Sequence, residues 1–210
     1  MKRFIKKFFI IQVFTVALIL GTACKTTGVF SGTALLIVMI VDENGQGVRD
    51  FNLTLSNFNK SEKGITNSSG ICVFENIPSG EYELCGKKNG YVKLSTGRIH
   101  FFNKGDVFCF SVLSGSSAFE QVQALYGCGN YAQGLELMDN IVCEKKSQLS
   151  AAVSFFKAYA YAAMNETKAK EREIKKIKSA SREFAEKYSV AVASLGIIEK
   201  EIVEEQEENQ

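Results

Sequence analysis

Residues 64–91 read GITNSSGICVFENIPSGEYELCGKKNGY and give the clearest indication of fold in the first half of the chain. It contains two short runs, ICVFE and EYELCG, that are bounded by turn residues, as β-strands are. Pro78 has a restricted φ angle and Gly80 permits a sharp reversal, so the chain turns back between the two runs. Gly70 is free to take a positive φ just before the first run. The stretch therefore predicts consecutive strands of a sheet.

Similar short runs extend from Thr33 to about Leu113. TALLIVMIV, residues 33–41, is a continuous aliphatic run that predicts a central buried strand. FNLTL, residues 51–55, alternates and places Phe51, Leu53 and Leu55 on one face. Three more strands are expected in YVKLS (91–95), RIHFF (98–102) and VFCFSV (107–112). About seven short strands at a spacing of roughly 8–12 residues predict a small antiparallel β-sandwich.

The order of the motifs in this part resembles the carboxypeptidase regulatory-like domain, a transthyretin-type β-sandwich. The matching motifs are D-x-x-G, T-x-x-x-G-x-x-x-F, N-I-P-x-G-x-Y and a Gly-Tyr pair, at 42–45, 66–74, 76–82 and 90–91. Val48 is a departure, because the family has Pro just after the first turn. The resemblance implies a sandwich over residues 33–114, in which the motif residues form turns. It implies no peptidase activity, because the zinc and catalytic residues of the carboxypeptidases lie in a different domain, which nothing here resembles.

From Ser116 onward the spacing of apolar residues is helical. AFEQVQALYGCGNYAQGLELMDNIV (118–142) predicts two antiparallel helices with a break at Gly127–Asn130. QLSAAVSFFKAYAYAAMNETKAKEREIKKI (148–177) predicts a second pair, and a helix from roughly Ser181 to Glu201 packs on both. The expected fold is α+β in two segments, a sandwich followed by an α-helical hairpin bundle over residues 115–203. An acidic tail, 204–210, completes the chain.

The helical part resembles tetratricopeptide repeats. Gly129-Asn130-Tyr131 with Gly134 is similar to the turn within such a repeat, and the two helix pairs lie about 34 residues apart, the period of the repeat. There are two departures: Lys146 stands where the repeat often ends in Pro, and the second turn, 164–166, has no Gly. The resemblance implies a concave groove lined by the first helix of each pair.

Residues 1–24 read MKRFIKKFFIIQVFTVALILGTAC and have the layout of a secretory signal: a basic start, an apolar run and small residues. Thr22 and Ala23 before Cys24 resemble a bacterial lipobox, although Gly21 stands where the common pattern has Leu. We therefore expect a signal peptide over 1–23, diacylglycerol on Cys24 and a tether over 24–32. Ordinary cleavage after Ala23 is one alternative. A permanent membrane helix is another, although the apolar run is shorter than the ~20 residues that span a bilayer.

Charge and motifs exclude several classes of function. Four of the 25 basic residues lie in 1–23, which leaves 21 basic against 23 acidic residues in the exported chain. This near-neutral balance offers no large basic surface, so no nucleic-acid partner is expected. His100 is the one histidine, and no zinc, serine-triad, Walker A or dinucleotide motif occurs. The sequence predicts no enzyme, no metal site and no cofactor.

Five cysteines remain after lipidation of Cys24: Cys72, Cys85, Cys109, Cys128 and Cys143. An odd number leaves at least one unpaired. The first three lie in predicted strands, where we expect them to be small buried hydrophobes. Cys128 and Cys143 are expected to end successive antiparallel helices, about 18 Å apart, which is too far for a disulfide.

We expect a non-enzymatic, lipid-anchored lipoprotein of the cell envelope, on the periplasmic or surface face. The sandwich would be a spacer or recognition module, and the helices would bind an envelope protein. The tetratricopeptide resemblance implies a binding surface on the first helix of each pair, comprising Phe119, Gln123, Tyr126, Val153 and Lys157. Internal packing of Phe119 and Tyr126 is the competing interpretation. A solute- or glycan-binding lipoprotein that uses the sandwich face is the alternative function, and an enzyme of unrecognised type is the third.

Overall fold

The computed structural model describes residues 30–191 and 193–194. Within them, seven strands precede five helices, which confirms the α+β class. The strands are β1 Thr33–Val41, β2 Asn52–Ser56, β3 Ser61–Ile65, β4 Ile71–Pro78, β5 Gly80–Lys87, β6 Leu94–Phe101 and β7 Val107–Ser111. The helices are α1 Gly115–Gly127, α2 Tyr131–Asn140, α3 Gln148–Ala163, α4 Thr167–Ala180 and α5 Arg182–Lys187. The expected signal peptide, Cys24, most of the tether and the acidic tail lie outside the described residues.

The strands form two sheets that enclose one core. The first sheet has the order β4-β1-β7 and the second the order β3-β2-β5-β6. All pairings are antiparallel except that of β1 with β7, which is parallel. Alternate residues of β1 meet those of β2, β5 and β6 between the sheets, where Leu36, Phe51, Leu84 and Phe101 are wholly buried. The sequence thus predicted the sandwich but not its one parallel pair.

The predicted strands differ from the structure in two places. YVKLS and RIHFF are not separate strands, because Leu94–Phe101 forms the single strand β6 and the residues before it pair with the helical part. β3, with the sequence SEKGI, was missed. It is an edge strand that pairs only with β2, and it alternates between exposed and half-buried residues. An edge strand with so little burial needs few of the apolar residues that mark a strand in sequence.

The motif residues of the sandwich have structural roles. The Asp42 carboxylate accepts hydrogen bonds from the backbone N–H groups of Asn44 and Gln46, both at 2.9 Å, which closes the first turn. The buried Thr66 hydroxyl accepts from the Phe51 N–H at 2.8 Å and donates to the Val48 carbonyl at 2.6 Å. These bonds satisfy backbone groups that the β1–β2 connection leaves unpaired.

The helices form two hairpins with apolar contacts between them. α1 and α2 are joined by residues 128–130, and α3 and α4 by residues 164–166. Gly134 allows α2 to approach α1, because a Cβ there would lie 2.3 Å from the Tyr126 ring. The predicted helix after Ser181 is described only as α5 and a few residues beyond it. Among the described helices, none combines the length and the hydrophobicity needed to cross a bilayer.

Candidate functional site

The first helices of the two hairpins meet along an aromatic seam, which we define as Phe119, Tyr126, Phe156 and Tyr159. The Phe119 and Phe156 rings have centroids 5.0 Å apart. The Tyr126 and Tyr159 rings stack at 5.8 Å with an interplanar angle of 21°. The seam thus joins α1 to α3, the two helices to which the sequence assigned the binding surface.

The structure does not place the predicted binding residues on one open surface. Tyr126 is 7% exposed, and Val153 is 8% exposed. Phe119 is half-buried, and of the five predicted residues only Gln123 is exposed. Tyr159, which the sequence analysis did not select, is 39% exposed beside Tyr126. A role of Phe119, Gln123, Tyr126 and Lys157 in partner binding stays a prediction.

Lys157 faces α2 instead of an open groove. Its side chain is 13% exposed, and its ammonium group forms an ion pair with the Asp139 carboxylate. Burial lowers the pKa of Lys157, but the hydrogen bond and charge of Asp139, together with the charges of Glu173 and Tyr161, raise the pKa above its ordinary value. The ion pair therefore joins the two hairpins.

The Tyr126 hydroxyl is buried and has no hydrogen-bond partner among the described residues. Burial is the main reason that the pKa of Tyr126 rises far above its ordinary value, and the charge of Asp139 adds to the rise. A buried hydroxyl without a partner costs free energy of folding, about 1–3 kcal/mol. Tyr126 contributes its ring to the seam and gains nothing from its hydroxyl.

A short segment, Asn89–Lys93, connects the sandwich to the helices, and we call it the junction segment. Its Gly90 N–H donates to the Val142 carbonyl at 2.8 Å, and the Val142 N–H donates to the Tyr91 backbone carbonyl at 2.9 Å. The Lys93 N–H donates to the Asn140 carbonyl at 2.8 Å, and the Gly115 N–H donates to the Gly90 carbonyl at 2.7 Å. The segment thus bonds to the start of α1 and to the end of α2.

Glu43 makes a second connection at the start of α1. Its carboxylate accepts hydrogen bonds from the hydroxyls of Ser114 and Ser117, each at 2.5 Å, and from the Ser114 N–H at 3.1 Å. The hydroxyl bonds of Ser114 and Ser117 lower the pKa of Glu43 to about 2. Ser114 is a residue type that commonly caps helices, which is a signal visible in the sequence, but Glu43 carries no local signal for this role.

An exposed aromatic ring in the β2–β3 loop lies beside polar residues of the four-stranded sheet. Phe58 is 99% exposed. It borders a shallow groove of about 270 Å³, whose other lining residues are Ser56, Asn57, Glu81, Tyr82, Glu83 and Arg98. Glu81 lies 3.3 Å from Arg98 and 3.4 Å from Nδ1 of His100. An exposed ring beside carboxylates and a guanidinium group is the arrangement on the sandwich that fits the alternative function.

The cysteines differ from expectation in their burial. Cys72 is buried, as predicted, but Cys85 and Cys109 are exposed, because both point away from the core. All five cysteines of the described part are free thiols, including Cys128 and Cys143. Within that part, no group of three or more His, Cys, Asp or Glu side chains is arranged to hold a metal ion.

No protein-family model and no curated protein matches the chain. Several solved structures match about 40% of the chain. The TIE protein of Bacillus anthracis is 22% identical, with a TM-score of 0.36, over 40% of this chain and 17% of that one. A putative carbohydrate binding protein from Bacteroides uniformis is 11% identical, with a TM-score of 0.36, over 39% and 42%. BcpA, the major pilin subunit of Bacillus cereus, is 17% identical, with a TM-score of 0.32, over 39% and 30%. The chain thus spans less than half of each of these three, and scores this low carry no argument about function.

Proposed function

We propose that this protein is a non-enzymatic lipoprotein of the cell envelope, attached to the membrane through Cys24. In this proposal the sandwich is a spacer, and the helical part binds an envelope protein. The connection between the two parts is the observation that carries it. A spacer must hold its binding part in a defined position, and flexible polar linkers do not do so.

The sandwich and the first helical hairpin are connected at several points, as a spacer requires. The junction segment and Glu43 hold the start of α1 from two sides, and the junction segment also holds the end of α2. Val92 pairs with Ile141, and Tyr91 pairs with Ser114, as isolated β-bridges. Because these bonds involve backbone atoms on both sides, the first hairpin is attached to the sandwich at both of its ends.

The aromatic seam with Gln123 is the part of the helices that we assign to the partner. Tyr159 presents a partly exposed ring, and Gln123 on α1 presents a free amide. Tyrosine is enriched at binding hot spots, since its ring offers a large contact area and loses little conformational entropy. The half-buried Phe119 and the buried Tyr126 pack beneath the exposed residues.

Site-specific photo-crosslinking in the native envelope tests this assignment. We expect a photoreactive residue at Gln123 or Tyr159 to crosslink one discrete protein. The same residue at Lys175, which is exposed on α4, is the matched control and should give no such product. Equal crosslinking from all three positions, or none from any, would contradict the assignment.

Acylation of Cys24 is tested separately. Metabolic labelling with a palmitate analogue should label the wild-type protein and not Cys24→Ala. Equal labelling of both proteins, or of neither, would show that the chain is not attached through this residue.

Glycan binding by the sandwich is the second candidate, and Phe58 is the observation that favours it. A ring that is 99% exposed can stack on a sugar, while Glu81 and Arg98 can bond to hydroxyls. The wild-type protein should then bind glycans on an array. Phe58→Ala should abolish this binding, whereas Lys63→Ala, on β3, should preserve it. Absence of binding by the wild-type protein would dismiss this candidate.

A further inference from the structure

The outer side of the three-stranded sheet is apolar and uncovered among the described residues. The core side of β1 is wholly buried through Leu36, Val38 and Ile40. The opposite side continues the same aliphatic run and has apolar neighbours on β4 and β7. We define the apolar outer face as Leu35, Ile37, Met39, Ile71, Val73 and Val107.

The register of the sheet makes this face continuous. Ile37 lies between Val73 on β4 and Val107 on β7. Met39 lies between Ile71 and Cys109 in the next row. Neither row contains a charged residue, and the exposed Glu75 on β4 lies beyond them, at the level of Leu35. Strands that are apolar on both sides usually occur where both sides are covered, so β1 has the composition of a strand with a second contact surface.

Among the aliphatic residues of the face, exposure is greatest at the end at which the chain enters the sandwich, although Cys109 in the farther row is also exposed. Val107, the first residue of β7, is 57% exposed, and Leu35, near the start of β1, is 50% exposed. Because β1 and β7 are parallel, these two residues lie at the same end. Met39 and Ile71, which lie farther from that end, are half-buried.

The entering chain is held at this same end. The Phe30 ring packs edge-on against Phe101 with centroids 5.2 Å apart. The Ser79 hydroxyl donates to the Phe30 carbonyl at 2.9 Å. Phe30 is six residues after Cys24, and six residues span at most about 22 Å. If Cys24 carries the lipid, as proposed above, this end of the sandwich must remain close to the bilayer.

We infer that the apolar outer face lies on the lipid bilayer, with Leu35 and Val107 in the boundary between headgroups and acyl chains. This inference rests on the proposed lipid at Cys24. Apolar surfaces of peripheral proteins bury themselves about 5–10 Å deep in that boundary. A second copy of the chain is the competing occupant. A second copy gives no reason for the most exposed apolar residues to lie next to the tether. A bilayer that holds the chain through Cys24 does, because it lies at that end.

The chain contains no tryptophan, so a single introduced tryptophan reports on its own surroundings. The reporters are Leu35→Trp and Val107→Trp, with Val73→Trp in reserve if either fails to fold. The control is Thr54→Trp, on the outer side of the other sheet. The full lipidated chain is bound to vesicles of phosphatidylethanolamine and phosphatidylglycerol whose acyl chains carry bromine, a quencher of tryptophan fluorescence.

We expect bromine to quench the two reporters by about half, because the expected depth of ~5–10 Å brings them near the acyl chains. The control should keep its emission. If the palmitate analogue labels Cys24 but bromine does not quench the two reporters, the inference is overturned and the proposed function stands. Absence of labelling at Cys24 would overturn both. Blue-shifted but unquenched emission, together with a crosslinked dimer, would assign the face to a second copy.

Discussion

The Glu43 carboxylate accepts a 2.5 Å hydrogen bond from the hydroxyl of Ser114, the residue that caps the first helix and lies 71 positions later in the chain. A turn of the sandwich thereby provides the negative charge at the start of α1, where the helix dipole favours an anion. The first four residues of α1 contain no acidic side chain of their own. Glu43 thus stabilises the helix and joins it to the sandwich.

Glu43→Gln tests this connection through pH. The folded-state pKa of Glu43, about 2, lies below its ordinary value of 4.5, so its stabilisation is present above pH 4.5. The contribution is lost as pH falls from there through 2. We expect wild type to lose somewhat more stability than Glu43→Gln over this range, under about 1 kcal/mol because solvent screens an exposed carboxylate. Urea denaturation at several pH values measures the difference. The exposed Glu171→Gln should follow wild type, and equal pH profiles of all three proteins would refute the expectation.

Lys157 and Gln123, both assigned to the partner surface from sequence, should respond differently to the same change. Lys157→Glu places a carboxylate against Asp139 and should lower the free energy of unfolding by about 1–2 kcal/mol. Gln123→Glu, at an exposed position, should change it by under ~0.5 kcal/mol. Chemical denaturation of both variants gives the comparison. Partner capture that falls in Gln123→Glu at unchanged stability would support the surface proposed here.

Tyr126→Phe should leave stability unchanged or raise it by up to about 1 kcal/mol, because it removes a buried hydroxyl that has no partner. Tyr82→Phe is the matched control. The Tyr82 hydroxyl donates to the Pro78 carbonyl at 2.8 Å, so its removal should cost about 1 kcal/mol. Thermal and urea unfolding distinguish the two. A loss in Tyr126→Phe as large as that in Tyr82→Phe would show that the Tyr126 hydroxyl makes a bond in solution.

Thr66→Val should destabilise the sandwich by about 1–3 kcal/mol. Valine has nearly the shape of threonine, but it leaves the Phe51 N–H without its hydroxyl acceptor and the Val48 carbonyl without its hydroxyl donor, both buried. Thr54→Val on the outer side of β2 is the control and should cost under ~0.5 kcal/mol. Similar urea midpoints for both variants would show that the Thr66 hydroxyl has no such role.

Local patterns in the sequence were enough to predict the class of fold and most of its elements. The alternation of Phe51, Leu53 and Leu55 correctly predicts one buried face of β2. The turns at Asp42 and Gly70 follow from the preferences of single residues, and Gly70 does take a φ of +77°. The break between α1 and α2 is predicted equally well. All these features depend on residues that are near one another in the chain, where backbone sterics and periodicity dominate.

Contacts between distant segments were decided only by the tertiary structure. The resemblance to tetratricopeptide repeats placed Tyr126 and Lys157 on a surface, but the stacking of two hairpins buries one and pairs the other with Asp139. Glu43 meets Ser114 because the sandwich brings the first turn beside the start of α1. The aliphatic run of β1 indicated burial on both sides, and only the sheet order showed that none of the described residues covers one side. Burial and pairing depend on which surfaces pack together, and a one-dimensional pattern records the spacing of side chains but not the identity of their neighbours.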